Sequence, residues 1–483
     1  MAITRKNKNN NNKSLMGGKV IGSGGFGCIF KPALKCKKKP RVKNNITKLM
    51  KSKHVYSEYN EVIKYNNLLK KIPNYSDYFL VEGFSICKPE PLTKKDLHNF
   101  NNKCNALKKL KINEENINDK NSLRKILALN MPYGGTDVSK LIDENWDNSI
   151  KMKELNNSLI KLLEKGIVPM NQLHIFHCDL KASNILAREG LARLIDWGLS
   201  TSYSNKEEPV PRVLTNRPFQ YNIPFSNIIF TPLFEKMYKK FLDKNPNPDY
   251  FTMRTFVINY IIEWVKERGP GHLKTMNNIF KNLFGNELKI KEENLKGELI
   301  QYDYTFYFIF EYITKILMKF TKDGKFDIKT YFVQVFLKNI DVWGFIMCYM
   351  PIIENITNNS KHLSGSEMAL SNKIKDLVVV LIDADDHVIN VTDLIEKLKE
   401  LNTYFVTFKR NKHITSETSD SDMTTSETTT TTTNTTTPTT DLETPKKSVS
   451  SGTRRIRKQK HFHKMIVKTL KNIKSLHSKK AWM

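Results

Sequence analysis

The stretch from His177 to Asn184 (HCDLKASN) places a carboxylate, an amine and an amide where they could handle a phosphate. A second carboxylate, Asp196, follows twelve residues after Asn184. Asp179 could accept the proton of an attacking hydroxyl, and Lys181 could neutralise a transferring phosphoryl group. Asn184 and Asp196 could supply oxygen ligands to Mg²⁺, which prefers hard oxygen donors. These residue types predict Mg²⁺-assisted phosphoryl transfer.

Two other interpretations of this stretch are open from the residues alone. A short window that holds Asp, Lys and Asn can be a solvated loop. His174, His177 and Cys178 could suggest a zinc site, but no second Cys/His pair at ligand spacing lies nearby, which disfavours it.

The residues after the stretch predict a hairpin. The apolar runs Ile185-Leu186 and Leu191 to Ile195 read as two short strands, and Glu189-Gly190 reads as the turn between them. Such a hairpin would return Asp196 towards Asn184.

Length and composition limit the class of protein. A chain of 483 residues with 39% hydrophobic content can build substantial packed cores. The formal charge of +29 accompanies abundant Asn and Lys along the whole chain, which favours a compositional bias over a dedicated binding face. The polar, Asn-rich start from Met1 to Lys13 predicts no secretory signal.

The most apolar runs, Tyr302 to Phe320 and Phe256 to Val265, are interrupted by charged residues, which predicts buried helices and no transmembrane segment. The six cysteines contain no CxxC pair, and this predicts a reducing compartment without a disulfide framework. They are Cys28, Cys36, Cys87, Cys104, Cys178 and Cys348.

A glycine-rich turn lies near the N-terminus. Lys19 to Ile21, Gly22 to Gly27 and Cys28 to Lys31 read as strand, turn and strand. A dinucleotide fold needs a helix directly after the glycines, and the chain has no GxxxxGK[ST] sequence. A hairpin folded over ATP phosphates is therefore favoured, and a hairpin without a ligand is the alternative.

A lysine-bearing strand follows the glycine turn. Ile46 to Met50 predicts a short strand around Lys48, a residue that strands bury only when its charge has a partner. The next segment predicts a helix with Glu58 and Glu61 on one face. Glu58 is the preferred partner because Val62, one turn later, continues its face with an apolar residue, and Glu61 is the second candidate.

Residues 88 to 122 are polar and rich in Asn and Lys, which predicts a surface excursion. Leu127 to Asp137 then runs from a buried strand into a glycine-containing bend, as a linker between two lobes would. Asp137 could bond a ribose hydroxyl or cap an exposed helix, and the sequence leaves both open.

The order of these parts resembles the eukaryotic-type protein kinases: a glycine loop, a strand lysine, a helix glutamate, a hinge, an HxDxKxxN catalytic loop and a DxG metal motif. The resemblance covers roughly residues 17 to 200. Asp341 to Gly344 (DVWG) adds the DxW motif of the large lobe's central helix. In that family the buried aspartate of this motif holds the backbone of the catalytic loop.

The resemblance implies ATP and Mg²⁺ as cofactors and a role for each matching residue. Asp179 would be the base, Lys181 would attend the γ-phosphate, and Lys48, paired with Glu58, would bind the α- and β-phosphates. The implied metal ligands are Asn184 and Asp196. The implied nucleotide-binding residues are Ile21, Gly22, Ser23, Gly24, Gly25, Phe26, Gly27, Ile29, Lys48, Met131, Tyr133 and Asp137.

The implied fold is α+β and bilobal, with a small N-terminal antiparallel β lobe plus one helix and a large, mainly helical C-terminal lobe. The expected small lobe spans 17–131, and the large lobe spans 132–410 with a long helical insertion at about 227–338. Residues 1–16 and a Ser/Thr-rich linker at 411–445 are expected to be disordered.

The last segment, 446–483, is strongly basic. It could bind nucleic acid, an anionic membrane or an import receptor, or remain a solvated tail without a partner.

Three departures from the family pattern carry information. Cys178 stands where many relatives have an arginine that binds a phosphorylated activation loop, which predicts activity without that phosphorylation. Trp197 replaces the usual Phe beside the metal. No Ala-Pro-Glu follows, and Asp196 to Asp341 spans 341 − 196 = 145 residues, with Asn216 to Ser226 in place of the usual substrate-facing segment.

Lysine two residues after Asp179 is the pattern of serine/threonine enzymes, so the resemblance implies a serine/threonine protein kinase with an unidentified protein substrate. In these departures and in its Lys/Asn-rich composition, the chain is similar to the divergent kinases of giant nucleocytoplasmic large DNA viruses. A viral kinase would act in the host cytoplasm or the virion, and the basic tail would also allow the nucleus. Two other functions stay open: a pseudokinase or virion scaffold that binds nucleotide without catalysis, and a small-molecule phosphotransferase.

Overall fold

The computed structural model describes residues 18–408 except 39, 41, 43, 205–209, 289–302 and 360–362. The predicted disordered N-terminus, the Ser/Thr-rich linker and the basic tail lie outside the described residues. The chain divides into two units, one of Met1–Phe284 with Glu292–Asn411 and one of Gly285–Lys291 with Lys412–Met483. Apart from the end of one helix, the described residues belong to the first unit.

The small lobe is built on an antiparallel sheet, as predicted. Its elements are β1 (Lys19–Ser23), β2 (Gly27–Lys31), β3 (Asn45–Lys51), α1 (Ser52–Leu69), β4 (Ser85–Cys87), α2 (Phe100–Lys103), α3 (Asn105–Lys108), α4 (Lys120–Lys125) and β5 (Ile126–Pro132). The five strands lie in the order β1-β2-β3-β5-β4. Lys48 on β3 lies opposite Ile29 on β2 and Leu129 on β5, so it is in the middle of the sheet.

Alternate residues of the strands feed two separate apolar clusters, because successive side chains of a strand point to opposite faces. On one face Met50 and Leu129 pack with Val55 of α1. On the other face Leu49 and Phe30 pack with residues of the segment between β4 and β5. The sheet is therefore covered on both sides.

The segment that covers this second face of the sheet includes residues 88 to 122, and its packing corrects the prediction for them. The segment is not a surface excursion, because Leu97, Phe100, Leu107 and Ile117 are buried in the cluster against β1 and β2. The apolar residues are spaced widely among Asn and Lys, so the composition of the segment concealed them. The described residues of the small lobe accordingly form three short α-helices in addition to the one predicted.

Four of the six cysteines pair in the small lobe, which contradicts the prediction of no disulfides. The pairs are Cys28–Cys104, with a Cα–Cα distance of 5.3 Å, and Cys36–Cys87, with 5.8 Å. The partners lie 76 and 51 residues apart in the chain, so they meet only when the segment between β4 and β5 folds onto the sheet. The cysteine pattern thus no longer supports a reducing compartment. The other two cysteines are free and buried.

The large lobe is mainly helical, as predicted. Its elements are β6 (Thr136–Asp137), α5 (Val138–Asn145), α6 (Ser149–Lys161), α7 (Val168–Gln172), β7 (Ile175–Phe176), β8 (Ile185–Arg188), β9 (Leu191–Leu194), β10 (Thr201–Ser202), α8 (Pro232–Leu242), α9 (Tyr250–Arg268), α10 (Leu273–Leu288), α11 (Asp303–Phe320), β11 (Thr321–Lys322), β12 (Lys325–Phe326), α12 (Ile328–Tyr331), α13 (Leu337–Met347), α14 (Met350–Asn359), α15 (Gly365–Asp383) and α16 (Val391–Leu401). Elements α8 to α12, with β11 and β12, lie in the described part of the predicted helical insertion.

The insertion contains an ion pair between two of its long helices. Arg254 on α9 is almost fully buried, and its Nε donates to Oε1 of Glu311 on α11 at 2.8 Å. The hydroxyl of Tyr250 also donates to Glu311. One of the charges that interrupts the apolar run of α11 is thus satisfied inside the fold.

The stretch Ile328–Asn359, which contains α12, α13 and α14, is long and apolar enough to cross a membrane by length and composition, since its most apolar 18-residue window has a mean hydropathy of 1.3. Within the fold, 89% of its most apolar window is buried. This is the pattern of a core helix. Its central part, α13, carries Asp341, which contacts the backbone of His177 at the start of the HCDLKASN stretch.

Candidate active site

The hairpin after the catalytic loop forms as predicted. Strands β8 and β9 pair in antiparallel register, and both residues of the turn, Glu189 and Gly190, have positive φ, of 53° and 74°. The backbone N–H of Ile195 donates to the carbonyl of Asn184 at 3.0 Å. This bond brings Asp196, the next residue, beside the end of the catalytic loop.

The loop is anchored from below by Asp341, which is fully buried. Its Oδ2 accepts from the backbone N–H of His177 at 2.9 Å and from Nδ2 of Asn171 at 2.8 Å. Its Oδ1 accepts from the backbone N–H of Cys178 at 2.9 Å. The side chain of α13 therefore fixes the backbone that leads into Asp179.

The Asp179 carboxylate is only 6% exposed and is surrounded by donors. Its Oδ2 accepts from Nζ of Lys181 at 2.8 Å and from Nδ2 of Asn184 at 3.2 Å, and its Oδ1 accepts from Nδ2 of Asn222 at 3.0 Å. Burial alone would raise the pKa of Asp179, but the hydrogen bonds from Lys181 and Asn222 and the positive charge of Lys181 hold that pKa below its ordinary value. The group is thus an oriented, ionised carboxylate.

Two donors in this arrangement were not identified from the sequence. Asn222 contacts Asp179 and also donates to the carbonyl of Leu180 at 3.1 Å. Arg217 donates through Nη1 to the carbonyl of Cys178 at 2.7 Å. Both lie within the segment Asn216 to Ser226, which the sequence marked as unusual without assigning a role to any of its residues. No spacing rule links that segment to a loop some 40 residues earlier, since the contacts span 39 to 43 residues.

Close packing brings this segment and the loop onto α13. A Cβ at Gly344 would lie 2.4 Å from the carbonyl oxygen of Leu180 and 3.0 Å from that of Asn222. The indole Nε1 of Trp343 donates to the carbonyl of Tyr221 at 3.0 Å. The Trp-Gly pair that follows Asp341 and Val342 thus allows the central helix to touch both elements.

The strand lysine pairs with the preferred glutamate. Nζ of Lys48 lies 2.6 Å from Oε2 and 2.8 Å from Oε1 of Glu58. Glu61 forms no ion pair with the part of the chain that the structure describes. The pair fixes α1 against the sheet and holds the ammonium group of Lys48 in one position.

An aromatic stack connects α1 to the catalytic loop. Tyr65 stacks on Trp197 with ring centroids 5.1 Å apart, and Trp197 meets His177 edge-to-face at 5.2 Å. The Nε2 atom of His177 is hydrogen-bonded to the carbonyl of Ile195 at 3.0 Å. The tryptophan that replaces the usual Phe therefore bridges the two lobes, and Tyr65 is a partner that the sequence did not reveal.

Asn184 and Asp196 suit a hard divalent cation. Asn184 uses its amide nitrogen for Asp179, which leaves its carbonyl oxygen as the ligand atom. Asp196 is exposed and adopts a left-handed backbone conformation with φ of 68°. An amide oxygen and an accessible carboxylate are donors that Mg²⁺ accepts.

The glycine hairpin is tight and open to solvent at its tip. The N–H of Gly24 donates to the carbonyl of Gly27 at 2.8 Å, and a Cβ at Gly27 would lie 2.8 Å from the carbonyl oxygen of Leu49. A Cβ at Gly22 or Gly25 would meet no atom within 4 Å, so those positions have room beside them. Backbone amides at such a turn can approach phosphate oxygens.

Several predicted nucleotide-binding residues have protein partners. Phe26 is exposed and stacks on His54 with centroids 4.5 Å apart. The Ser23 hydroxyl accepts from the N–H of Ala106 at 3.1 Å, which ties the hairpin to the segment between β4 and β5. Ile21 is half exposed beside the hairpin.

At the hinge, Met131 lies opposite Ile46 at the end of the sheet. Lys31 lies over the Tyr133 ring, with Nζ 3.2 Å from its centroid. Asp137 caps α5, because its Oδ1 accepts from the N–H of Lys140 at 2.9 Å. The helix-cap alternative for Asp137 is therefore the one observed, and one carboxylate oxygen is already used.

Comparison with protein families agrees with this geometry. Residues 15–224 match the family described as protein tyrosine and serine/threonine kinase. The match runs from the glycine hairpin through the catalytic loop and ends within the segment Asn216 to Ser226, before the helical insertion. A search of curated proteins found no match. Fold, site and family match together support a protein kinase domain that begins with the small lobe, and a domain of this kind implies a phosphotransferase that uses ATP.

Proposed function

We propose that this protein is a catalytically active serine/threonine protein kinase that transfers the γ-phosphate of ATP to protein hydroxyls. The observation that carries the proposal is the environment of Asp179, an ionised carboxylate oriented by Lys181, Asn184 and Asn222. Such a group can accept the proton of a substrate hydroxyl as the oxygen attacks phosphorus. Lysine at position 181 supports serine and threonine over tyrosine as acceptors.

The remaining residues would position ATP and neutralise charge. Lys48, held by Glu58, would contact the α- and β-phosphates, and the hairpin Gly22 to Gly27 would cover them. Asn184 and Asp196 would hold Mg²⁺, which when bound offsets the charge that develops on the phosphates. Lys181 lies beside the base, where it can contact the γ-phosphate.

The alternative of a nucleotide-binding scaffold without catalysis has less support, because the side chains for proton transfer, phosphate contact and metal binding are all present. A small-molecule phosphotransferase is disfavoured by the glycine hairpin, by Lys181 and by the anchoring of the loop through Asp341. The Asn216 to Ser226 segment and the Lys/Asn-rich composition support an origin in a large DNA virus, with action in the host cytoplasm, nucleus or virion.

The test is transfer of radiolabelled phosphate from ATP to a generic basic protein, followed by phosphoamino acid analysis. Wild type should label serine and threonine, and Asp179→Ala should abolish labelling. The exposed carboxylate variant Asp376→Asn on α15 is the matched control and should retain activity. Equal labelling by Asp179→Ala would refute kinase catalysis, and phosphotyrosine as the main product would refute the proposed specificity.

We further propose that the basic tail, residues 446–483, binds a polyanion such as nucleic acid. It carries many Lys and Arg without an acidic residue. Salt-dependent DNA binding that is lost on truncation at Lys446 is the expected result, and unchanged binding by the truncated protein would contradict it.

A further inference from the structure

Arg217 is a buried cation in contact with the catalytic loop. Its side chain is 7% exposed, Nη1 donates to the carbonyl of Cys178 at 2.7 Å, and Nη2 lies 3.8 Å from Oδ1 of Asp179. Nη2 itself has no hydrogen-bond partner among the described residues. Burial lowers the pKa of Arg217, and the negative charge of Asp179 opposes that effect. A guanidinium group is costly to bury, so its place beside the base requires a compensating interaction.

The residue that stands in place of the loop arginine carries no charge. Cys178 occupies the loop position where related kinases have arginine, and its side chain is fully buried. Burial, reinforced by the nearby Asp341, raises the pKa of the Cys178 thiol well above its ordinary value, so the thiol is neutral. The positive charge beside the loop comes instead from Arg217, 39 residues further along the chain.

The segment that carries Arg217 is itself fixed without any added group. Asn222 bonds both Asp179 and the loop carbonyl of Leu180. Trp343 on the central helix bonds the backbone of Tyr221. The contacts that hold the segment on the loop are thus direct protein contacts, and none of them requires a phosphate.

We propose that Arg217 is a positioning residue: its guanidinium, held by the Cys178 carbonyl, orients the Asp179 carboxylate and lets the loop work without phosphorylation of the segment between Trp197 and Asn216. The proposal rests on the kinase function proposed above and adds which residue keeps the Asp179 carboxylate oriented. The planar fork of arginine suits two simultaneous contacts, one to a carbonyl and one to a carboxylate.

The experiment compares full-length wild type, Arg217→Met and Arg217→Lys, each treated with phosphatase and checked by mass spectrometry for absence of phosphate. The Met variant keeps much of the side-chain volume and removes the charge, and the Lys variant keeps the charge and removes the fork. Arg212→Met, at an exposed arginine of the same region, is the matched control. Steady-state kcat, KM for ATP and melting temperature are measured for each.

We expect phosphate-free wild type to be fully active and Arg217→Met to lose about 10- to 100-fold in kcat, as misplacement of a catalytic group costs. The KM for ATP should change less than about twofold, because Arg217 contacts Cys178 and Asp179 and none of the residues proposed to hold ATP. Arg217→Lys should recover part of the loss, and Arg212→Met should match wild type.

Three results would overturn the proposal. The first is a kcat of Arg217→Met equal to that of wild type. Another is equal loss in the Met and Lys variants with parallel falls in melting temperature, which a merely structural role explains. The third is loss of wild-type activity on phosphatase treatment. Failure of the kinase proposal is distinguishable from all of these, because wild type would then be inactive whether or not it carries phosphate.

Discussion

Replacing Asp341 by Asn should loosen the catalytic loop without creating a cavity, because the two side chains have nearly the same shape. In wild type the carboxylate accepts three hydrogen bonds, from the backbone N–H groups of His177 and Cys178 and from the amide of Asn171. An amide has only one acceptor atom, so at least one of these donors must face an NH₂ group.

The best orientation of the Asn side chain keeps its oxygen where Oδ2 of Asp341 lies, since that atom accepts two of the three bonds. The NH₂ group then faces the N–H of Cys178, which loses its partner. An unpaired buried donor costs about 1–3 kcal/mol, and two charge-assisted bonds become weaker neutral ones. The expected loss of unfolding free energy is about 2–4 kcal/mol.

Urea denaturation measures the global change, and hydrogen exchange of the peptide that contains His177 and Cys178 measures the local one. If exchange occurs through local opening, a loss of 2–4 kcal/mol speeds it by about 30- to 1000-fold. kcat should fall in parallel, because Asp179 follows the loosened backbone directly. Asp376→Asn, on an exposed face of α15, should change stability by less than about 0.5 kcal/mol.

A loss below about 1 kcal/mol in Asp341→Asn, with unchanged exchange at the loop, would show that the buried carboxylate does not hold it. The proposed support of the site by α13 would then be wrong, whether or not the variant transfers phosphate.

Three further predictions concern the same site. Glu58→Gln should lower kcat/KM about 10-fold or more by weakening a charge-assisted pair, and Glu61→Gln should leave it within about twofold, in ATP-dependent transfer assays. Since the pKa of Asp179 lies below its ordinary value, its ionised form and the stability it contributes should be lost only as pH falls through that lowered pKa. Lys181→Met removes the cation that lowers this pKa, so the acid limb of a kcat-pH profile should move to higher pH, and an unmoved limb would contradict the assignment. Gly344→Ala would place a Cβ 2.4 Å from a loop carbonyl and should cost about 1–3 kcal/mol in urea denaturation together with activity, whereas Gly365→Ala, where the added carbon meets nothing within 4 Å, should be tolerated.

Features set by neighbouring residues could be predicted from the sequence. The strand-turn-strand at Gly22 to Gly27 and the hairpin around Glu189 and Gly190 both formed, because turn residues and alternating apolar residues determine them locally. The partner of Lys48 was predicted from the periodicity of α1, which distinguishes Glu58 from Glu61. The α+β, bilobal architecture was implied by the resemblance to protein kinases that the order of these parts supports.

Features set by contacts between distant segments could not be predicted in the same way. Arg217 and Asn222 belong to a stretch whose sequence shows no periodicity that points to the loop, and only the packed fold brings them to Asp179. The disulfide Cys28–Cys104 joins residues 76 apart, and it depends on the folding of a segment whose few apolar residues are diluted by Asn and Lys. In each case the determining interaction is tertiary, and composition conceals it.

The catalytic loop is held from three directions by elements that are far apart in the chain. Asp341 on α13 binds the backbone before Asp179, Asn222 and Arg217 contact the loop around Asp179, and Tyr65 on α1 reaches the loop through the ring of Trp197. In a kinase whose catalytic loop is held only by a flexible activation segment, phosphorylation must first order that segment before the loop is fixed. Here the anchoring groups are a buried carboxylate, an amide, a guanidinium and stacked rings, all supplied by the folded chain. Cys178 therefore leaves the loop without its own arginine, and the buried Arg217 places a guanidinium beside it. In this arrangement the fold itself positions a positive charge that a phosphorylation-dependent kinase would position only after modification.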